Sequence, residues 1–163
     1  MQTFLPEGSD LELGFERLDR QRLGKQRVET FQILNVLRGI DKDGDYKNHK
    51  GWSNHPCTVM WRGHAYELAR YGYLCSLEWI SRGYKDTMSW RFCEAMESMT
   101  CDNILEPGTW NLQPPPWIDC EDVYISHRSN LIRKDPEHYK HYWPDVPDSL
   151  EYVWPPDPTT RSI

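Results

Sequence analysis

A chain of 163 residues, 38% hydrophobic and 27% charged, has the length of one domain whose core needs no disulfide or metal staple. No stretch nears the roughly 18 apolar residues of a membrane span, and no charged-then-apolar leader opens it, so a soluble, cytoplasmic protein is expected. The net charge of −6 argues against a protein that tracks long DNA by electrostatics alone, since phosphate neutralisation needs a basic face. A local positive site on an acidic body stays open.

Eight Trp, nine Tyr and four Phe supply apolar area and leave rings available for stacking on bases. The cysteines at 57, 75, 93, 101 and 120 are odd in number and lack any C-x-x-C spacing, so neither a disulfide framework nor a zinc site is supported. Cys57 and Cys75 fall on a packing stripe and read as core. His138 and His141 share a helix face without further ligands, and no metal or other cofactor is expected.

In chain order, Met1 is followed by bulky Gln2, which predicts a retained initiator Met and an α-amine on Met1. Ser9 or Asp10 caps a first helical turn through Phe15, and a longer helix then runs to about Arg38, closed by Gly39. At about 100° per residue, Leu23, Phe31, Leu34 and Leu37 share one side of it, with Arg20 and Arg27 in the middle. Gln21, Arg22, Lys25, Glu29 and Gln32 form a wholly polar stripe opposite. Arginines belong off an apolar face. They either pair with buried acids, snorkel past the core edge, or present guanidinium groups to an anion. The loop Asp41-Lys42-Asp43-Gly44-Asp45 has its glycine out of place for a calcium site and no closing Glu.

Pro56, flanked by Ser53, Asn54 and His55, predicts a helix start, and the pattern continues from Cys57 to Arg82 before Gly83. Trp61, Ala65, Leu68, Gly72, Cys75 and Trp79 form a seam spaced for a partner helix, so this long helix is expected to be central. Asp86 or Thr87 caps a shorter helix through Met99. A loop from Thr100 to Trp117 follows, stiffened by Pro114-Pro115-Pro116. Another helix spans Val123 to Lys134, and Asp135-Pro136 restarts one through Trp143. From Pro144 the tail holds five prolines and four acids and should be extended, fastened by Tyr152, Val153 and Trp154. The expectation is an all-α single-domain bundle over residues 1–143, with residues 144–163 a Pro-rich acidic tail packed on it.

Three segments carry polar residues in awkward places. The opening helix is the first. The second is Asn54-His55 at a helix start, with Arg62 beyond; helix N-termini suit phosphates, although Asn and His there also act as caps. The third is Ser126-His127-Arg128-Ser129-Asn130, followed by Arg133-Lys134 and the aromatic turn from Tyr139 through Tyr142 to Trp143, where bases could stack and phosphates pair, or where the face is simply solvated. No P-loop, G-x-G-x-x-G, G-x-S-x-G or H-E-x-x-H motif is present. Residue patterns alone reach an all-α domain with an anion or nucleotide site.

The order Leu18-x-Arg20-x-x-Leu23-x-x-Gln26-Arg27-Val28, then Gly51-Trp52-x-Asn54-His55-Pro56, then Asp135-Pro136-x-x-Tyr139 resembles the pyrimidine-dimer DNA glycosylase (endonuclease V) family, including its bacterial and phage branches. The resemblance implies a compact all-α fold with its amino terminus near the catalytic centre. It also implies nucleotide flipping, attack on the sugar C1′ by the α-amine, a Schiff base, and strand cleavage by β-elimination. Such an attack needs an unprotonated amine with an acid–base partner. The family's glutamate follows the arginine aligned with Arg20, where this chain has Gln21, and Gln carries no charge. Glu29 and Asp19 are the nearest acids on the same helix, each on a different face from Gln21 or a turn or more away. The resemblance thus points to Met1, Gln21 and Glu29 as the catalytic set. Arg20, Arg22, Lys25, Arg27, Asn54, His55 and Arg62 then face phosphate and sugar, and the partner is DNA. A second reading keeps the pocket and drops the chemistry: the protein binds a free nucleotide or nucleotide-derived signal, as a phage antagonist of host defence signalling would.

Overall fold

Local capping chemistry divides the chain into seven helices among residues 2–157, the part that the computed structural model describes. The Asp10 side chain accepts from Leu13 N and starts α1 (Leu11–Arg17). Leu18 then turns extended, and the Asp19 carboxylate accepts from Gln21 N and Arg22 N to start α2 (Arg20–Arg38). Gly39, at φ 67°, closes α2 in the left-handed conformation that glycine adopts without strain. Among the described residues no strand forms beyond a single bridge between Ile40 and Tyr46.

The helix predicted over Cys57–Arg82 is broken. It forms as α3 (Pro56–Met60) and α4 (Ala65–Ser81), because Gly63 sits at φ 79° and turns the chain between them. α4 packs against α1, α2 and α5 (Ser89–Leu105). The small residues of the predicted seam let its neighbours approach: the Phe92 ring of α5 lies where a Cβ on Gly72 would stand, 2.3 Å away. On the α2 side, the Cys75 thiol donates to Leu23 O. α5 also runs a turn and a half beyond the predicted end at Met99, since Asn103 bonds both the N–H and the carbonyl of Trp110 and Asp102 accepts from the Trp110 indole. These bonds draw the following loop back onto the helix end. α6 (Glu121–Lys134) and α7 (Pro136–Tyr139) follow, the latter capped by Asp135 and ending at Tyr139 rather than at the predicted Trp143, because the chain there passes into turns closed by Tyr142 N on Tyr139 O and Val146 N on Trp143 O. Beyond Pro144 the described chain forms no helix and lies along α6, where Leu150 N donates to Ser129 Oγ and Val153 N to Ser126 Oγ.

Residues 2–6 are buried, although they form no regular structure. Buried peptide groups need partners, and side chains supply them. Phe4 N donates to Gln26 Oε1 at 2.9 Å, and Gln26 Nε2 donates to Gln2 O at 2.9 Å. The Tyr71 hydroxyl lies 2.8 Å from both Phe4 O and Gln26 Oε1. From α6, His127 Nδ1 accepts from Leu5 N at 3.0 Å and Arg128 Nε donates to Pro6 O at 2.6 Å. The His127 ring is fully buried, and desolvation pushes its pKa down to about 3, so it stays neutral.

Two outcomes follow from this packing. Gly72→Ala gains helix propensity but drives a methyl into the buried Phe92 ring, so chemical denaturation should show a net loss of about 1–3 kcal/mol. For His127, the unfolded ring binds a proton near its ordinary value of 6.5 and the folded ring only near 3. Between those values the unfolded state holds the extra proton, so stability falls as pH falls, by about 1.4 kcal/mol per pH unit. Urea titrations from neutral pH downward should therefore show a steeper loss in the wild type than in His127→Asn. Parallel slopes would show that the ring protonates in the fold.

Candidate active site

The polar stripe of α2 faces two connected depressions. One is a shallow groove of about 920 Å³ lined by Arg20, Gln21, Lys25, Glu29, Gln32 and Trp79, among others. The other is a cleft of about 300 Å³ between α2, Gln2, Phe4, Lys134 and Tyr152, and it too is lined by Gln21, Lys25 and Glu29. The buried amino-terminal segment ends at this cleft. There, Gln2 N donates to Glu29 Oε2 at 3.3 Å, which ties the second residue of the chain to a half-buried carboxylate. Met1 lies outside the described residues.

Gln21 is two turns before Glu29, about 12 Å along the helix axis, and stands exposed on the rim. Gln21 and Glu29, both on the polar stripe of α2, line the same cleft. Asp19, the other nearby acid, is occupied: it caps α2, pairs with Arg22 at 2.9 Å and accepts from the Tyr139 hydroxyl at 2.5 Å. Burial would raise its pKa, but the hydrogen bonds from Tyr139 and Arg22 outweigh that and hold it below the ordinary carboxylate value.

The cations divide into those facing the clefts and those bound into the fold. Lys25 and Lys134 are exposed on the cleft rim, and Arg22 lines it while paired with Asp19. Arg20 is exposed in the groove, its guanidinium 5.0 Å over the Tyr84 ring. Arg27, placed by pattern on the apolar side, forms the buried ion pair left open above: it pairs with Asp86 and lies 4.3 Å over Trp79. Asp86 also accepts from Met88 N and Ser89 N at the start of α5. Burial would raise the Asp86 pKa, but these bonds and Arg27 hold it low.

His55 caps α3, its Nδ1 accepting from Cys57 N at 3.2 Å, which leaves the ring proton on Nε2. Burial lowers its pKa, so the ring is neutral at physiological pH. Asn54 beside it is exposed. Arg62 does not face a cleft: it pairs with Asp157 and donates to Ser53 O at 2.9 Å. Cys57, under Thr3, is a buried thiol pushed up to about 11 by desolvation and is unsuited to nucleophilic work.

Apart from Lys134, the third segment is scaffold and lines neither depression. His127 and Arg128 hold the amino-terminal backbone, and Arg128 also pairs with Glu7. Asn130 and Arg133 both donate to Leu150 O and so hold the tail. Tyr139 is buried against Asp19, and Tyr142 is half-buried with the Arg17 guanidinium 5.4 Å from its ring. The residues that pattern reading passed over are Gln2, Gln26 and Tyr152. Only Gln26 left a signal, as a polar side chain at a helix position turned to the core.

Among the described residues no three His, Cys, Asp or Glu side chains are grouped to hold a metal ion, and no helix is long and apolar enough to cross a membrane. Neither the curated proteins nor the solved structures gave a match. The family model for pyrimidine dimer DNA glycosylase matches residues 1–92, more than half of the 163. That span takes in the amino-terminal segment and all of α2, and so every acid and amide placed around the cleft. The chain belongs to the pyrimidine dimer DNA glycosylase family.

Proposed function

We propose that this protein is a DNA glycosylase and abasic-site lyase acting on modified or damaged pyrimidines, with the α-amine of Met1 as nucleophile and Glu29 as its acid–base partner. The observation that carries this reading is the hydrogen bond from Gln2 N to Glu29, made one residue from the amine by a segment fixed in the core. The free amine attacks C1′ of the extruded nucleotide, and the base departs with the glycosidic electron pair and takes up a proton. Glu29 accepts the proton released from the amine and passes it to O4′ as the C1′–O4′ bond breaks and the sugar ring opens to a Schiff base. The same carboxylate can then remove a C2′ proton, so that the 3′ phosphate leaves by β-elimination. Lys25, Arg22 and Lys134 on the rim are suited to flanking phosphates, as is Arg20 in the groove. This chemistry belongs to the helical unit over residues 1–143, with the tail supplying Tyr152 to the cleft wall.

Borohydride trapping on abasic and ultraviolet-irradiated DNA tests the reading. A covalent adduct mapping to Met1 is expected. Glu29→Gln should lower the trapping rate by about 10²- to 10⁴-fold, the usual contribution of a positioned acid–base group, while Gln21→Ala changes it by less than about tenfold on the same scale. If neither DNA yields an adduct and a free nucleotide alone stabilises the fold, the protein is a nucleotide binder.

A further inference from the structure

On the far end of the same α2 stripe lies a pocket of about 380 Å³, between the carboxyl-terminal half of α2 and the loop over residues 41–52. Gln32 lines both this pocket and the groove beside Glu29, so the two adjoin at that side chain. Glu29 and Val36, which floors the pocket, are about 10 Å apart along the helix axis, a reach suited to neighbouring nucleotides on one strand.

Three features of this pocket are unexplained by the fold. Trp52 lines it while 49% exposed, in a chain that buries Trp61, Trp117 and Trp143. Asn35 lines it too and is only 6% exposed, yet its buried side-chain oxygen has no hydrogen-bond partner. A buried amide without a partner costs about 1–3 kcal/mol, which a ligand bonded to that amide would offset. His49 completes the wall: its Nε2 lies 2.7 Å from Ile40 O and must carry the proton, which leaves the Nδ1 lone pair open in the neutral ring. Nothing here suits an aliphatic ligand. A flat ring for stacking, two amides and a lone acceptor are what the face and edge of a nucleobase require.

We propose that this pocket takes a nucleobase, stacked on Trp52 and hydrogen-bonded at its edge by Asn35 and Gln32. Lys47, on the pocket wall, is placed for the attached phosphate. Where the base belongs to DNA, it is that of a nucleotide adjoining the sugar attacked beside Glu29. That placement rests on the function proposed above, whereas the pocket itself does not.

The test follows the Trp52 indole and the Asn35 and Gln32 side-chain amides by ¹⁵N NMR in the full chain. The titrants are a short single-stranded oligodeoxynucleotide, the four deoxynucleoside monophosphates, and deoxyribose 5-phosphate as the base-free control. The strand should shift all three signals, the control none, and Trp52→Ala should weaken strand binding by about tenfold or more, the scale of one stacked base. Monophosphates binding as tightly as the strand would also support the pocket and would make a free nucleotide its source. Equal shifts from the base-free control would overturn the proposal in favour of a plain anion site, and silence with every titrant would overturn it outright. Borohydride trapping by the wild type reports on the Met1–Glu29 chemistry whatever these titrations show.

Discussion

The structure depends on one constraint, the satisfaction of the peptide groups in residues 2–6. An irregular segment in a core has no helix or sheet ladder to pair with, and each unpaired group costs about 1–3 kcal/mol. Helices distant in sequence converge on it: α2 contributes Gln26, α4 contributes Tyr71, and α6 contributes His127 and Arg128. Gln26 fixes two of these peptide groups and each of the other partners one, so the segment has a single register. A slip of one residue would break several of these bonds at once. That register brings Gln2 N to Glu29. A half-buried acid is thereby held beside the amino terminus by a set of bonds that exists for folding.

α2 serves this arrangement from both sides. Its inner face carries Gln26, Arg27, Thr30 and Asn35 among the leucines and isoleucine, which explains its weak division into apolar and polar halves. Gln26 grips the amino-terminal segment, and Arg27 ties the helix to the cap of α5 through Asp86. A buried pair of this kind contributes little net stability, but removing one partner strands a charge. Its effect is to fix where α5 begins, and with it the Phe92 ring that fills the notch at Gly72. The outer face is left free of structural duty, and there Gln21, Lys25, Glu29 and Gln32 line the depressions.

Much of this was legible in the residues. Caps at Asp10, His55 and Asp135 and stops at Gly39 and Gly83 mark several helix ends, because capping is local chemistry. The outer stripe of α2 was visible as a period. Three helix boundaries were not: the break at Gly63, where a glycine inside a helical pattern gives no sign of its φ, the run of α5 to Leu105, held by a loop that returns to it, and the end of α7 at Tyr139, where the chain passes into turns. The third segment misled for a physical reason. A guanidinium donates to a backbone carbonyl as readily as to a phosphate oxygen, so Arg128 on Pro6 and Arg133 on Leu150 look the same in sequence as a phosphate-binding face. The acceptors lie far along the chain or in its tail, where no local period reports them. His127 is the same case, since a buried neutral acceptor and a solvated base share one letter.

The glutamine at position 21 changes meaning in this light. Taken with the family pattern alone, it is an acid lost. In the structure the acid bonded to Gln2 N is Glu29, and Gln21 sits two turns away on the rim with Lys25, Arg22 and Lys134. The chain as a whole carries −6, so a polyanion approaching it meets net repulsion and must be held by a local field. A carboxylate at 21 would place a negative charge beside Lys25, Lys134 and the Asp19-paired Arg22, while the amide adds none and can still donate to a phosphate. The chemistry proposed above calls for such an arrangement, with one acid bonded next to the start of the chain and a neutral amide on the cationic rim. The substitution that first suggests a dead site is consistent with one whose acid stands two turns further along the same helix.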